Sequence, residues 1–323
     1  MTALAGPTDA IERAHALREA GAAGVFTFEG PHDVFTPLTL ASTVGGLDLM
    51  TNVAIAFPRN PIHLAHQAID HQLLSQGRFV LGLGTQIRTQ IEKRFGADFD
   101  RPVDRMVELI AALRAIFATW STGERLNFRG EFYTHRLMTP TFSPGANPYG
   151  PPPIYVGALG PRLTRATAEH ADGLLVMPFG TTKFLREHTM SAVRAGLAAS
   201  GRTEFNVVPE IIVSPGLDDS DHAGTRQLLA FYGSTPAYRP VLETHGWGDL
   251  QTDLHALSKQ GRWQEMGSLI DDDVLRTIAA VGSPKDIAAH IRERAEGIAD
   301  TVCMYSGGPL PVQIQAEIID ELR

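Results

Sequence analysis

Thr51-Asn-Val-Ala-Ile-Ala-Phe-Pro-Arg-Asn-Pro-Ile-His-Leu-Ala-His66, followed by Leu74-Ser-Gln-Gly-Arg-Phe-Val-Leu-Gly-Leu-Gly-Thr-Gln86, reads as strand, helix, strand. Apolar strand-formers run from Val53 to Phe57, and Pro58 and Pro61 then stop the strand and open a helix. Gly77-Arg78 marks the helix end, Phe79 to Leu83 is a second apolar run, and Gly84-Thr85-Gln86 closes it. Two buried strands joined by a helix make a parallel βαβ unit, whose crossover is expected to be right-handed.

The same alternation continues in both directions. Thr8 or Asp9 can cap a helix through Ala20, Gly24 to Phe28 is a strand, and helical periodicity returns at Pro37 to Val44. Met106, Leu109, Ile110, Leu113 and Phe117 form one stripe of a long amphipathic helix that starts near Arg101-Pro102. Strands are expected at Ile154 to Gly157, Gly173 to Met177, Val207 to Val213 and Asp300 to Tyr305. Helices are expected at Pro161 to His170, Ala223 to Tyr232, from Pro284, and at Pro311 to Leu322. Residues 121 to 153 and 235 to 266 break the rhythm and read as irregular insertions. About eight strands, most followed by helices, predict an α/β fold, a single (β/α)8 TIM barrel over residues 1 to 323 with those two insertions. Barrels of this kind stay single at roughly 250 residues and grow by insertion, which accommodates 323.

Composition excludes several functions. With 28 basic and 36 acidic residues the net charge is -8, and no basic run exceeds two residues, so nucleic acid is not an expected partner. No stretch reaches about 18 apolar residues, and Met1 to Gly6 has neither a basic region nor an apolar core, so a cytoplasmic protein without membrane attachment is expected. The single cysteine, Cys303, sits in an apolar run and reads as a packed strand residue.

In this fold, chemistry gathers at the carboxyl ends of the strands, and the loops after Phe28, Phe57, Leu83, Gly157, Met177 and Tyr305 become the places to inspect. Gly82-Leu-Gly84 lacks the third glycine of a dinucleotide fingerprint, Ile87 standing there, and reads either as a contact for a flat ligand or as a simple turn. Gly157-Ala-Leu-Gly-Pro-Arg162 follows a strand and opens a helix, so its free amides, with Arg162 and Arg165, suit a phosphate. Glu29 and His32 could manage a proton at the barrel mouth, or the segment is only a turn with Asp33 as a helix cap. His63, His66 and His71 lie inside a helix without a carboxylate partner, and Gln67 and Gln72 suggest a polar outer face, so no metal is expected. Ser75 lacks the flanking glycine of a nucleophile elbow and no Walker A sequence occurs.

Taken together, His32-Asp-Val-Phe-Thr-Pro-Leu-Thr-Leu-Ala41, Ala54-Ile-Ala-Phe-Pro-Arg-Asn-Pro61, Leu74 to Gln86, Ile91-Glu-Lys-Arg-Phe95, Phe128-Arg-Gly-Glu-Phe-Tyr-Thr-His135 and Ala171-Asp-Gly173 resemble the bacterial luciferase-like monooxygenase superfamily. Within it the chain is similar to the deazaflavin oxidoreductases that use coenzyme F420. The resemblance implies a (β/α)8 barrel, commonly a homodimer, with a tricyclic ring over the strand ends and a non-prolyl cis peptide in the third strand, here Asn52-Val53. It places ring-edge contacts at Gly84, Thr85 and Gln86, the phosphate turn at Gly157, Ala158, Leu159, Gly160, Pro161 and Arg162, and an acidic or histidine residue at Glu29, with His32 near. Two departures stand out: Val34 replaces a proline, and Met177 stands where relatives often have histidine. The cofactor tail would reach Thr181, Thr182 and Lys183.

The implied activity is hydride transfer between coenzyme F420 and a small apolar substrate, with Glu29 or His32 as acid or base. Rival expectations are an FMN-dependent two-component monooxygenase and a non-catalytic cofactor-binding protein. A polyglutamylated tail would want basic residues beyond the phosphate turn, for which Lys183 and Arg186 are the candidates. Both insertions, with Phe128, Tyr133, Phe142, Tyr149, Tyr238 and Trp247, are expected either to wall the pocket or to pack a lid onto the barrel.

Overall fold

Eight short apolar segments pair edge to edge in the computed structural model, which describes residues 1–308 and 310–323. In chain order they are β1 (Thr2–Ala3), β2 (Gly24–Thr27), β3 (Asp48–Thr51), β4 (Phe79–Gly84), β5 (Ile154–Ala158), β6 (Gly173–Val176), β7 (Asn206–Pro215) and β8 (Cys303–Tyr305). Each runs parallel to its sequence neighbour, and Thr2 of β1 stands in register with Met304 of β8, which closes the sheet. The result is a (β/α)8 barrel. Ala54–Ile55 carries β3 onward after a kink and pairs with β4. Ala280–Gly282 adds to the outer half of β7, with Val213 opposite Ala280.

Side chains alternate across a strand, so every second residue points into the barrel. Phe26, Met50, Tyr155, Leu175, Val208 and Cys303 meet there as one cluster. Two residues further along the same chain segments come Phe28, Asn52, Gly157, Met177, Glu210 and Tyr305, and Gly84 follows Gly82 on β4 in the same way. This next layer, at the carboxyl rim, mixes polar side chains (Asn52, Glu210, Tyr305) with glycine and with Phe28 and Met177.

Helices between the strands start where proline and a cap coincide. Asn60 accepts a hydrogen bond from the Ile62 amide ahead of Pro61–Leu74, and Ser283 with Asp286 forms a capping box around Pro284–Ala295. The stripe on Pro102–Thr122 is buried, with Ile116 and Trp120 added to it, and Gly123 ends the helix at φ 75°. His71 and Gln72 turn inward, contrary to the outer face expected of Gln72: His71 packs between Phe35 and Phe79, and Gln72 Oε1 accepts from the Phe79 amide. That histidine is a satisfied core residue, hydrogen-bonded to Gln67 O. Cys303 is buried, and burial pushes its thiol up to about 12.

The two insertions differ from expectation and from each other. Residues 121 to 153 hold a hairpin, Phe128–Arg129 with Thr134–His135, laid on the outside of the barrel. The Glu108 carboxylate accepts from the amides of Glu131, Phe132 and Tyr133, fastening it to the long helix. Residues 235 to 266 are helical rather than irregular, with helices Arg239–Glu243, Gly248–Lys259 and Trp263–Met266. Val241, Leu242, Leu254 and Met266 bury one face of these short helices, a spacing that broken periodicity hid. Among the described residues no helix is long and apolar enough to cross a membrane.

Candidate functional site

The rim layer forms the floor of a cavity of about 440 Å³ at the carboxyl ends of the strands. That volume lies within the usual range for small-molecule sites, roughly 300–1,000 Å³. One wall is the kink of β3, where the Asn52–Val53 peptide is cis. Beside the kink run Gly84, Thr85, Gln86 and Ile87 after β4, then Gly157 to Gly160 after β5. Met177 and Pro178 follow β6, while Tyr232, Ala237 and Tyr238 close over the space.

The glycines have a concrete reason. A Cβ on Gly84 would stand 2.4 Å from Val53 Cγ2, and one on Gly157 would stand 3.1 Å from Val53 Cγ1. Both are glycine because the Val53 side chain occupies that space, so they shape the wall through Val53. Of the cofactor-binding residues expected from sequence, Asn52, Val53, Gly84, Thr85, Gln86, Gly157, Ala158, Leu159, Gly160 and Met177 line this one cavity.

Pro161, Arg162 and Thr181 do not line it. Arg162 is exposed. Thr181 is buried, its hydroxyl accepting from the Phe184 amide and lying 2.9 Å from His245 Nε2. Lys183 donates to Thr244 O, and Arg186 to Glu293 O and Glu296 O, so both cations are engaged with backbone carbonyls.

Glu29 lines the cavity, but its Oε2 accepts from the Ile55 amide at 2.8 Å and from Arg59 at 2.6 Å, while Arg59 also donates to Ile55 O. Glu29 and Arg59 thereby grip both backbone groups of Ile55, directly after the kink. His32 is exposed beside Gly6 and is not part of the lining, so the structure does not bring the two expected acid–base residues together. Asp33 Oδ1 accepts from the amides of Phe35 and Thr36, in the turn that leads into the helix Thr36–Ser42, whose N-cap residue is Phe35.

Sequence reading passed over Glu210. It stands in the middle of β7, 8% exposed, and its Oε2 accepts from Asn52 Nδ2 at 3.2 Å. Burial pushes its carboxyl up to about 8, against the smaller downward pull of the Asn52 amide. The signal was present: Glu210 is the one acidic residue in the otherwise apolar Val-Val-Pro-Glu-Ile-Ile-Val. Tyr232 and Tyr305 stand beside it, both phenols raised by burial, and Phe28 meets Tyr305 edge-on at 5.7 Å.

A second cavity, about 540 Å³, adjoins the first across Leu159. Pro161, Thr164, Arg165, His188 and Thr189 line it beside the start of the helix Pro161–His170. The buried hydroxyls of Thr164 and Thr189 have no hydrogen-bond partner among the described residues. Arg165 is paired with Glu169 at 2.7 Å. Beyond Gly160, the N-cap, space is open. A third cavity, about 320 Å³ around Met1, Asp48 and Arg78, lies at the amino ends of the strands, the stabilising end of such barrels.

Comparison with known proteins fits this arrangement. An uncharacterized protein of Mycobacterium tuberculosis is 48% identical over 300 residues, 91% of this chain and 88% of that one. The F420-dependent glucose-6-phosphate dehydrogenase of Kineococcus radiotolerans is 32% identical over 272 residues, 82% of this chain and 74% of that one. The coenzyme F420 dependent tetrahydromethanopterin reductase of Methanopyrus kandleri shares the fold, with a TM-score of 0.79 at 18% identity over 99% of this chain and 96% of that one. Residues 1–301 match the family model of the luciferase-like monooxygenases, and the chain belongs to that family.

Proposed function

We propose that this protein is an oxidoreductase that moves hydride between coenzyme F420 and a small organic substrate. The observation that carries the reading is the paired cavity. A space of about 440 Å³ between the Val53 kink and the aromatic cover suits a flat ring, and an adjoining space of about 540 Å³ lies past a helix N-terminus. The F420-dependent relative at 32% identity supports the choice of cofactor.

The residues fit the group on the structure's own terms. Val53, Gly84 and Gly157 give one smooth wall without protruding polar side chains, against which a ring can lie. Thr85 and Gln86 offer hydrogen-bonding groups at its edge. The amides of the first turn after Gly160, with the unpartnered Thr164 hydroxyl, suit the phosphorylated arm, because donors at a helix start favour an anion. When bound, an 8-hydroxy-5-deazaflavin supplies two electrons as hydride and reacts poorly with oxygen. The chain's own work is placement and exclusion of water: Tyr232 and Tyr238 cover the open face, across from Tyr305 on the floor, with largely apolar surface, so a substrate held there meets the ring in a dry space.

A second reading keeps the fold and takes FMN as a two-component monooxygenase. Its support is that Lys183 and Arg186 are occupied with backbone carbonyls, which leaves fewer cations for a polyanionic tail. Expression in a host that makes the deazaflavin, followed by mass analysis of what co-purifies, separates the readings. The deazaflavin is expected. Recovery of FMN alone, together with no binding of added deazaflavin, would contradict the proposal.

A further inference from the structure

Hydride transfer to a carbonyl or related acceptor leaves an electron pair on the neighbouring atom, and that atom needs a proton. Neither Glu29, held by Arg59 and the Ile55 amide, nor the exposed His32 stands free in the cavity to give it. One other carboxyl does face the space.

We propose that Glu210 is the proton carrier of this site: a carboxyl on the cavity floor, oriented by Asn52, that protonates the substrate heteroatom as hydride reaches the adjacent carbon and recovers the proton in reverse. The proposal rests on the hydride-transfer reading above. Strand alternation places Glu210 two residues past Val208 and Asn52 two past Met50, so both point to the same rim layer from opposite parts of the ring. The Asn52 amide donates to Oε2, which leaves Oε1 as the oxygen that carries the proton.

The groups around Glu210 keep it neutral. Asn52 faces it from β3, Cys303 and Tyr305 from β8, and Tyr232 from the helix Ala223–Gly233; Arg294 lines a small adjoining space with it. Arg294 donates through one terminal nitrogen to Thr277 O and Ile278 O and makes no hydrogen bond to Glu210, and Asn52 is the one hydrogen-bond partner of the Glu210 side chain among the described residues. A carboxyl without a cation in a dry site holds its proton, and burial here pushes Glu210 up to about 8.

For a carbonyl substrate the balance is simple. The donor carbon–hydrogen bond of the reduced deazaflavin breaks with both electrons and a new carbon–hydrogen bond forms on the carbonyl carbon. The carbonyl π pair passes to oxygen, the Glu210 O–H bond breaks as the alcohol O–H forms, and the carboxylate then regains a proton from solvent. The deazaflavin is oxidised, releasing its ring N–H proton to solvent, and the carbonyl is reduced, so that overall one hydride and one proton pass from cofactor to substrate.

Three measurements test this together. Infrared titration of the cofactor-free protein between about pH 6 and 9 is expected to show a protonated carboxyl band that disappears near the alkaline end and is missing from Glu210→Gln. Deazaflavin fluorescence titration is expected to give equal affinity for wild type and Glu210→Gln. Turnover on a panel of ketones, aldehydes and enones is expected to fall on the order of 10²–10⁴-fold in Glu210→Gln, with partial rescue in Glu210→Asp. Asn52→Ala should raise the pH at which the band disappears, because the amide N–H favours the carboxylate. A Glu210 carboxyl that ionises in the ordinary range, or a Glu210→Gln protein that turns over like wild type, overturns the proposal. Failure of the wild type to bind deazaflavin would instead overturn the hydride reading and the carrier's role with it, and the infrared band tells the two failures apart.

Discussion

Glu29 and Glu210 line the same cavity and have opposite surroundings. Glu29, after β2, meets an arginine and a backbone amide; Glu210, inside β7, meets one neutral amide and a set of phenols. The residue type is identical, so the environment assigns the work: a paired carboxylate holds backbone in place, and an unpaired buried one holds a proton. Sequence motifs draw the eye to the first, because it sits in a turn rich in glycine, proline and histidine. The second is hidden in a strand.

Breaking this contrast should give its largest effect at Glu210, where the Glu210→Gln substitution described above separates turnover from binding. The same variant sharpens the contrast through stability. The folded state holds the Glu210 proton up to about pH 8, whereas the ordinary value is 4.5, so wild type loses stability as pH rises across that window. Glu210→Gln has no such proton to lose. Its melting temperature should exceed that of wild type by several degrees at about pH 9, on the scale of about 2–4 °C per kcal/mol for large domains, with the gap closing toward about pH 5. Equal melting curves at both ends would show that Glu210 is not held neutral.

Glu29→Ala should act in the other direction, costing about 1–3 kcal/mol in denaturant unfolding and weakening cofactor binding, because Arg59 and the Ile55 amide lose their partner and the β3 kink loosens. A variant that keeps full affinity and stability but loses turnover would return the proton role to Glu29. Next in size, Gly84→Ala should cost about 1–3 kcal/mol in denaturant unfolding or weaken deazaflavin binding, since its methyl meets Val53 at 2.4 Å. The smallest effect belongs to the first insertion: Phe142→Ser, at a 70% exposed residue outside the cavity, should leave binding and turnover unchanged, whereas Tyr238→Ala in the second insertion should raise KM.

The barrel was legible because its signals are local and repeated. Proline at helix starts, glycine at helix ends and short apolar strands agree along the chain, although Asp9 starts its helix without a side-chain cap bond. Gly84 and Gly157 at the rim were legible for the same reason, since turns must carry special residues, whereas Asn52 came only from the family resemblance. The proton carrier was not legible, because strand alternation fixes that Glu210 points inward only once register and neighbours are known. The second insertion was misread as irregular since two of its three helices are only a turn or so long, and of the two roles open to the first its aromatics take the packing one: Phe128 and Tyr133 pack against the barrel exterior, and Tyr149 lies over Gly77. Trp247, in the second insertion, stacks on His245 rather than lining the cavity. Exposed aromatics in an insertion signal packing against something, and sequence alone does not say which surface.

A deazaflavin ring is proposed to lie between Val53 and the Tyr232–Tyr238 cover. Equilibrium titration of the purified protein with coenzyme F420, following its fluorescence, tests this most directly when wild type is compared with Gly84→Val and Phe142→Ser. Saturable binding by wild type and Phe142→Ser, with affinity lost in a folded Gly84→Val, is the expected result. Binding of equal strength in Gly84→Val, or none in wild type, would contradict it.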